Sequence, residues 1–272
     1  MSSPRNRLDV FLVEKGYFPS RERARAAVLA GCVFVNGRRA EKAGQLISPV
    51  DTVVVRAEDL PYVSRGGLKL AHALKVFALD LAGLTVLDVG ASTGGFTDCA
   101  LQAGARRVFA VDVGYGQLAW KLRTDPRVTV LERTNIRYLE PEALDELADF
   151  ATVDVSFISL EKVLPAVGRL LKPEGQGLAL IKPQFEAGPE RVGKKGVVRD
   201  PATHAAVCTR IVDFIHGCGW EVRGVAFSPV RGPEGNVEFF VLFAKTPGKP
   251  WEGSVEAVVA EAREYFESKE PE

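Results

Sequence analysis

The chain has 272 residues, is 46% apolar and 26% charged, and sets 35 basic against 35 acidic residues. That suffices for one large domain and a small one, and a zero net charge confines any nucleic-acid contact to local patches. No apolar run reaches the roughly 18 residues of a membrane span, the start Met1-Ser2-Ser3-Pro4 lacks a signal-peptide core, and four scattered cysteines show no CxxC spacing. A membrane, secreted or disulfide-framed protein is therefore disfavoured, and a cytoplasmic chain with reduced cysteines and no metal site is expected.

Leu8, Phe11 and Leu12 recur at helical spacing before Gly16 and predict a helix over 7–15. Ser20 is placed to cap a second helix that runs to residue 30 and stops at Gly31. Strand-like runs at 32–35 and 51–55 follow, and Asn36-Gly37 is a strong hairpin signal. Residues 1–60 thus read as a compact α+β module. Between 5 and 60 it carries ten basic against seven acidic residues. Arg21 and Arg25 share a helix face, Arg38 and Arg39 follow the hairpin turn, and Arg5, Arg7 and Lys42 add to the same charge. A guanidinium fork binds two phosphate oxygens at once, so this cluster suits RNA, although a merely solvated surface has the same composition. The order helix, S-R-x-x-A, G-x-V-x-V-N-G closely resembles the small RNA-binding domain that ribosomal protein S-four shares with many pseudouridine synthases. That resemblance implies RNA recognition by shape and phosphates.

Residues 61–67 read as a linker, and Leu70, Ala73, Leu74 and Phe77 mark one face of the helix that follows. From 68 to 248 strands are predicted near 85–89, 108–113, 128–132, 150–155, 177–181, 222–228 and 238–244. Helices fall between most of them, which predicts an α/β domain with a doubly wound, mostly parallel sheet. A last helix over 255–267 belongs to a C-terminal segment, 249–272.

The first strand of this domain ends in Asp88-Val89-Gly90-Ala91-Ser92-Thr93-Gly94-Gly95. Such a turn brings backbone N–H groups and a helix N-terminus against a ligand. Neither G-x-G-x-x-G nor G-K-[ST] is present, so the dinucleotide and triphosphate fingerprints are unmet. D-x-G-x-x-x-G remains, and Asp112 ends the next strand, where a carboxylate can take both hydroxyls of a ribose. The pair resembles the S-adenosylmethionine site of class I (Rossmann-like) methyltransferases; a structural strand–helix turn is the alternative.

Ligands of such sheets lie beyond the carboxyl ends of the strands. Asp154 and Lys182 end strands there, Glu238 opens the last strand, and Lys69 begins the helix before the first. Methylation at carbon 5 of a pyrimidine needs a cysteine after the fourth strand, and none of the four stands there. Amine methylation favours an N-P-P-Y or D-P-P-Y turn, and Asp154-Val155-Ser156-Phe157 stands instead. A ribose 2′-hydroxyl must lose its proton as it attacks, and a lysine accepts it only with a lowered pKa. Lys69 beside Lys182 is expected to lower it, with Asp154 and Glu238 orienting both; two ordinary salt bridges are the alternative.

Lys69, Asp154, Lys182 and Glu238 match in order the K-D-K-E tetrad of FtsJ-like RNA 2′-O-methyltransferases. Ser64-Arg65-Gly66-Gly67-Leu68-Lys69, Glu132-Arg133-Thr134-Asn135, Lys182-Pro183-Gln184-Phe185-Glu186 and Gly235-Asn236-Val237-Glu238 extend the likeness to the TlyA, or hemolysin A-like, family. The family resemblance implies methyl transfer to cytidine 2′-hydroxyls of 16S and/or 23S ribosomal RNA, with ribosomal RNA within ribosomal subunits as partner. It implies Lys182 as proton acceptor, positioned by Lys69, Asp154 and Glu238. Asp88, Gly90, Ser92, Thr93, Gly94, Gly95 and Asp112 would form the cofactor site. Asn135 lies near its adenine or is a polar turn residue; Phe157 stacks on a target base or is core. Arg65, Arg133 and Arg137 would meet RNA at the rim, as would Arg191, Lys194 and Lys195 in the long loop 183–201. A monomer without membrane contact is expected, with two alternatives: a non-catalytic RNA-binding protein on this scaffold, or a membrane-active hemolysin.

Overall fold

The structure, a computed structural model, describes all residues except 1–5, 19, 30, 56–60, 194, 233 and 269–272. Arg5 and Lys194 therefore lie outside the described residues. The N-terminal module runs β1 (Asn6–Arg7), α1 (Leu8–Glu14), α2 (Arg21–Leu29), β2 (Val33–Val35), β3 (Arg38–Arg39), β4 (Leu46–Ile47) and β5 (Val53–Val55). Strands β3-β2-β5 form an antiparallel sheet and β1 pairs with β4. At the β2–β3 turn both Asn36 (φ 51°) and Gly37 (φ 76°) are left-handed, which is the geometry the Asn-Gly pair favours. Helix α1 begins one residue later than its apolar spacing suggests, because Arg7 is extended and paired opposite Leu46. Leu8, Leu12, Ala24, Val28, Val33 and Ile47 close a small core.

Asp9 is buried beside that core. Its carboxylate accepts hydrogen bonds from Arg7 Nε and Nη2 and from Arg21 Nη2, all at 3.0 Å. The Arg7 guanidinium, aided by Arg21, overcomes the effect of burial and holds the Asp9 carboxyl down to about 2. Two of the arginines expected at an RNA surface thus hold Asp9, and Arg21 joins α2 to α1 through it.

The large domain adds α3 (Gly66–Val76), β6 (Thr85–Val89), α4 (Gly95–Gln102), β7 (Arg107–Val111), α5 (Trp120–Arg123), β8 (Val128–Leu131), β9 (Ala148–Val153), α6 (Leu164–Leu170), β10 (Leu171–Ile181), α7 (Pro183–Glu186), α8 (Pro201–Gly217), β11 (Glu221–Phe227), β12 (Phe239–Ala244) and α9 (Val255–Glu267). Its seven strands lie in the order β8-β7-β6-β9-β10-β12-β11. β12 is antiparallel to both neighbours, and the other pairings are parallel. Side chains alternate across the pleat: Leu87, Phe109, Ile181 and Val241 pack on one face, Val86, Val108, Leu180 and Phe240 on the other. Burial on both faces explains why these strands read as continuous apolar runs.

Segment 61–67, expected as a linker, is docked. Val63 N–H donates to Asp98 Oδ2 (2.8 Å) and Gln102 Nε2 donates to the Pro61 carbonyl (2.8 Å), both on α4, and α3 has begun by Gly66. Helix α9 returns Val258, Val259 and Phe266 to the main core. No helix among the described residues is long and apolar enough to cross a membrane.

The Asp9 cluster yields a stability prediction. A depressed carboxyl contributes stability that is present above its unfolded pKa and is lost as pH falls through the folded value. Asp9→Asn should lower the melting temperature by a few degrees at neutral pH. The gap between variant and wild type should close between about pH 4 and about pH 2, as followed by circular dichroism.

Candidate active site

Strand β6 ends in a turn that only small residues can make. Gly90 (φ 86°), Ser92 (φ 49°) and Gly94 (φ 93°) are all left-handed. A Cβ on Gly90 would lie 2.5 Å from the Asp154 carbonyl oxygen, and one on Gly94 would meet the Leu118 and Leu122 side chains. Beneath the turn Asp88 is fully buried and accepts hydrogen bonds from Thr97 Oγ1 (2.6 Å) and Thr152 Oγ1 (3.0 Å). Burial pushes its carboxyl up to about 6. Asp88 lies behind the turn, bonded to α4 and β9, and like Asp112 is not in the cavity wall.

At the end of β7, Asp112 accepts Ser92 N–H at 2.8 Å and Gly114 N–H at 2.6 Å, so it braces the same turn from the side. Asn135 Oδ1 accepts Arg137 N–H (3.2 Å) and caps the 3-10 turn Ile136–Tyr138. Neither residue lines the cavity. For Asn135 the polar-turn alternative describes its contacts.

Four ionisable groups converge across the carboxyl edge of the sheet. Asp154 directly follows β9, Lys182 directly follows β10, Glu238 directly precedes β12, and Lys69 lies in the first turn of α3. Because β12 runs backwards, its first residues and the last residues of its neighbours share that edge. Lys182 Nζ lies 2.6 Å from Asp154 Oδ1, and Lys69 Nζ lies 2.6 Å from Glu238 Oε2. Lys182 also donates to Ser156 Oγ (3.1 Å), and Gln184 Nε2 to Glu238 Oε1 (3.5 Å).

All four groups line one cavity of about 750 Å³, together with Gly90, Ser92, Thr93 and Gly95. That volume falls in the range of small-molecule sites. The charges there do not act as expected from Lys69. Burial works to lower the Lys182 pKa, but Asp154 and Glu238 outweigh it and hold the ammonium above its ordinary value. Burial likewise works to raise Asp154, but Lys182 and then Lys69 outweigh it and keep the carboxyl below its ordinary value. Asp154 and Glu238 thus oppose the lowering expected from Lys69, and the direction at Lys182 is upward.

Arg39 of the N-terminal module, Arg65, Lys195 and Phe157 also line this cavity. Phe157 is 90% exposed, with left-handed backbone (φ 63°), and its ring lies 4.8 Å from that of Phe185. The core alternative for Phe157 therefore fails. Arg133 stacks over Tyr115 at 4.1 Å and Arg137 over Tyr138 at 5.2 Å, outside the cavity wall. Arg25, Arg38 and Lys42 are exposed on the module, while Arg7 and Arg21 leave about half of each side chain in solvent around Asp9. Sequence reasoning passed over Ser156, Gln184, Gln117 and Asn236, which also line the cavity. Ser156 and Gln184 each stand two residues from a tetrad member, and that spacing was the available signal.

Comparison with known proteins matches residues 62–245 to the FtsJ-like methyltransferase family and residues 6–53 to the S4 domain. The Bacillus subtilis protein YqxC is 49% identical over 276 residues, covering 99% of this chain and 98% of YqxC. The Mycobacterium tuberculosis 16S/23S rRNA (cytidine-2'-O)-methyltransferase TlyA is 46% identical over 238 residues, covering 87% of this chain and 89% of TlyA. A solved Streptococcus thermophilus structure bearing a hemolysin name superposes with a TM-score of 0.79 at 45% identity, over 100% of both chains. With more than half its length matched and a tetrad at the edge where this fold binds ligands, the chain belongs to the FtsJ-like methyltransferase family and carries an S4 domain before the catalytic fold.

Proposed function

We propose that this protein methylates the 2′-hydroxyl of cytidine in 16S and/or 23S ribosomal RNA, acting as a cytoplasmic monomer on ribosomal subunits. The observation that carries this reading is the single cavity shared by the glycine turn and the Lys69/Asp154/Lys182/Glu238 set. The relatives' named activity supports the nucleoside.

S-adenosylmethionine would supply a methyl group on a positively charged sulfur. Gly90, Ser92, Thr93 and Gly95 offer a wall without bulky side chains at the N-terminus of α4, which fits the amino-acid end of such a cofactor. Asp112, whose two oxygens each keep a lone pair beyond their present hydrogen bonds, is the group that would take its ribose.

Lys182 is the proposed proton acceptor. Held cationic by Asp154 and Glu238, it must first release a proton before its amine can take one from the acceptor hydroxyl. Lys69 fixes Glu238, and Glu238 and Asp154 fix the Lys182 ammonium. Phe157, exposed at the cavity rim, is placed to stack on a base drawn out of its helix. Arg25, Arg38, Arg39, Lys42 and Arg65 supply phosphate contacts.

The direct test incubates the protein with radiolabelled S-adenosylmethionine and separated unmodified ribosomal subunits, then identifies the labelled nucleoside by mass spectrometry. 2′-O-methylcytidine is expected, and label on a base would overturn the reading. Lys182→Arg keeps the charge but cannot accept a proton, so methyl transfer should fall by about 10²-fold or more while cofactor binding measured by calorimetry stays within about twofold. Because Lys182 is held above its ordinary value by Asp154 and Glu238 against burial, log kcat in the wild type should rise with pH at near unit slope from about pH 7 to about pH 9, without a plateau. RNA affinity should fall steeply with salt, and a paired Arg38→Ala, Lys42→Ala variant should show a shallower salt slope with unchanged cofactor affinity.

A further inference from the structure

We propose that Glu186 is the positioning residue that holds the acceptor side of the cavity in register, by bolting the loop after β9 to the helix after β10. The proposal rests on the 2′-O-methylation reading for its kinetic part alone. The loop carries Asp154, Ser156 and Phe157; α7 follows Lys182 and carries Gln184 and Phe185. Asp154, Ser156, Phe157, Gln184 and Phe185, all in the cavity wall, therefore hang on these two segments.

Glu186 is only 5% exposed and touches none of the four tetrad residues' charged atoms. Its Oε1 accepts Leu160 N–H at 2.7 Å, and its Oε2 accepts Ser159 Oγ at 2.8 Å. Leu160 opens a 3-10 turn, Leu160–Lys162, whose first N–H groups have no partner within the turn. A carboxylate there satisfies an orphan donor and meets the positive end of the turn. Arg210 of α8 locks the arrangement from behind, donating to both the Glu186 carboxylate and its backbone carbonyl at 2.8 Å. A guanidinium that grips side chain and main chain together fixes the direction in which the carboxylate points.

The loop is thus fastened at two places. At its start, Asp154 N–H donates to the Val89 carbonyl (2.9 Å), and at its end Glu186 holds Ser159 and Leu160. Between the fastenings Phe157 keeps a left-handed backbone, which a bulky L-residue holds only when its surroundings over-determine it. The Phe157 ring leans on Phe185, one residue before Glu186. The same glutamate therefore sets where Asp154 meets Lys182 and where the exposed ring stands. A glutamate serving only to stabilise the fold would link regular elements, whereas the partners of Glu186 outside α8 lie on the loop that bears reactive groups.

Full-length Glu186→Ala and Glu186→Gln decide the matter through three readouts: hydrogen exchange of the 155–161 amides, cofactor affinity by calorimetry, and kcat with KM for ribosomal subunits. In Glu186→Ala those amides should exchange at least about tenfold faster, with kcat down about tenfold or more and cofactor affinity within about twofold of wild type. Glu186→Gln, whose amide oxygen can still accept Leu160 N–H, should recover part of both effects, and it keeps the test available if the alanine variant folds poorly. Adding Phe157→Ala to Glu186→Ala should cost less than the two single losses combined. Unchanged exchange would sink the anchor. Faster exchange with wild-type kcat, or a loss of cofactor affinity matching the loss of kcat, would sink the positioning role. Base-labelled product from the wild type would overturn the ribose reading instead, and the exchange result would still decide the anchor.

Discussion

Four charged groups at one sheet edge, three of them buried and Asp154 partly so, are tolerable only because their charges cancel in pairs. Each ion pair at 2.6 Å offsets a desolvation cost that either member alone could not bear. The fold meets that requirement by sending one member of each pair from a different element: Asp154 from β9, Lys182 from β10, Glu238 from β12 and Lys69 from α3. Sheet order brings the first three side by side, and the docking of 61–67 on α4 sets the entry of α3. The same pairing that makes burial possible keeps Lys182 cationic, which opposes the proton acceptance proposed for it.

Much of this was legible in the chain. Strand β6 and helix α9 fall at the expected residues, because a short apolar run closed by a glycine turn and an amphipathic repeat opened by Ser254 are local signals. The tetrad was readable for the same reason: each member abuts a strand or opens a helix, where apolar periodicity stops. The two-residue strands β1 and β4 were not readable, since their pairing across some forty residues leaves no local pattern. Segment 61–67 reads as a linker from the proline and charges around its start, yet Val63 N–H and the Pro61 carbonyl bond Asp98 and Gln102 on α4, a tertiary fact.

Side-chain roles were harder than positions. Asp88 carries the acidic letter of a ligand-binding motif, yet two threonine hydroxyls take its oxygens and its solvent access is nil. Nothing in the letter distinguishes a carboxylate that faces a ligand from one that props up the backbone that does. Phe157 posed the reverse problem, because an aromatic in a short loop reads equally as core or as surface. Its 90% exposure decides it, and no local sequence pattern carries that. The carboxylates expected to orient Lys182 also hold it above its ordinary value, a balance of distances that residue order does not carry.

The reversed strand β12 has one further consequence. β6 and β7 end in the glycine turn and Asp112, while β9, β10 and the β11–β12 hairpin end in the acceptor groups. The two jobs therefore occupy opposite halves of one sheet, joined only along the β6–β9 seam. The connection between β11 and β12 lies on one side of that seam, but it ends on Glu238, and its Asn236 bonds Val198 and Gly196, so only its earlier residues can change without reaching the tetrad. Variation in those earlier residues would leave the glycine-turn half of the sheet untouched.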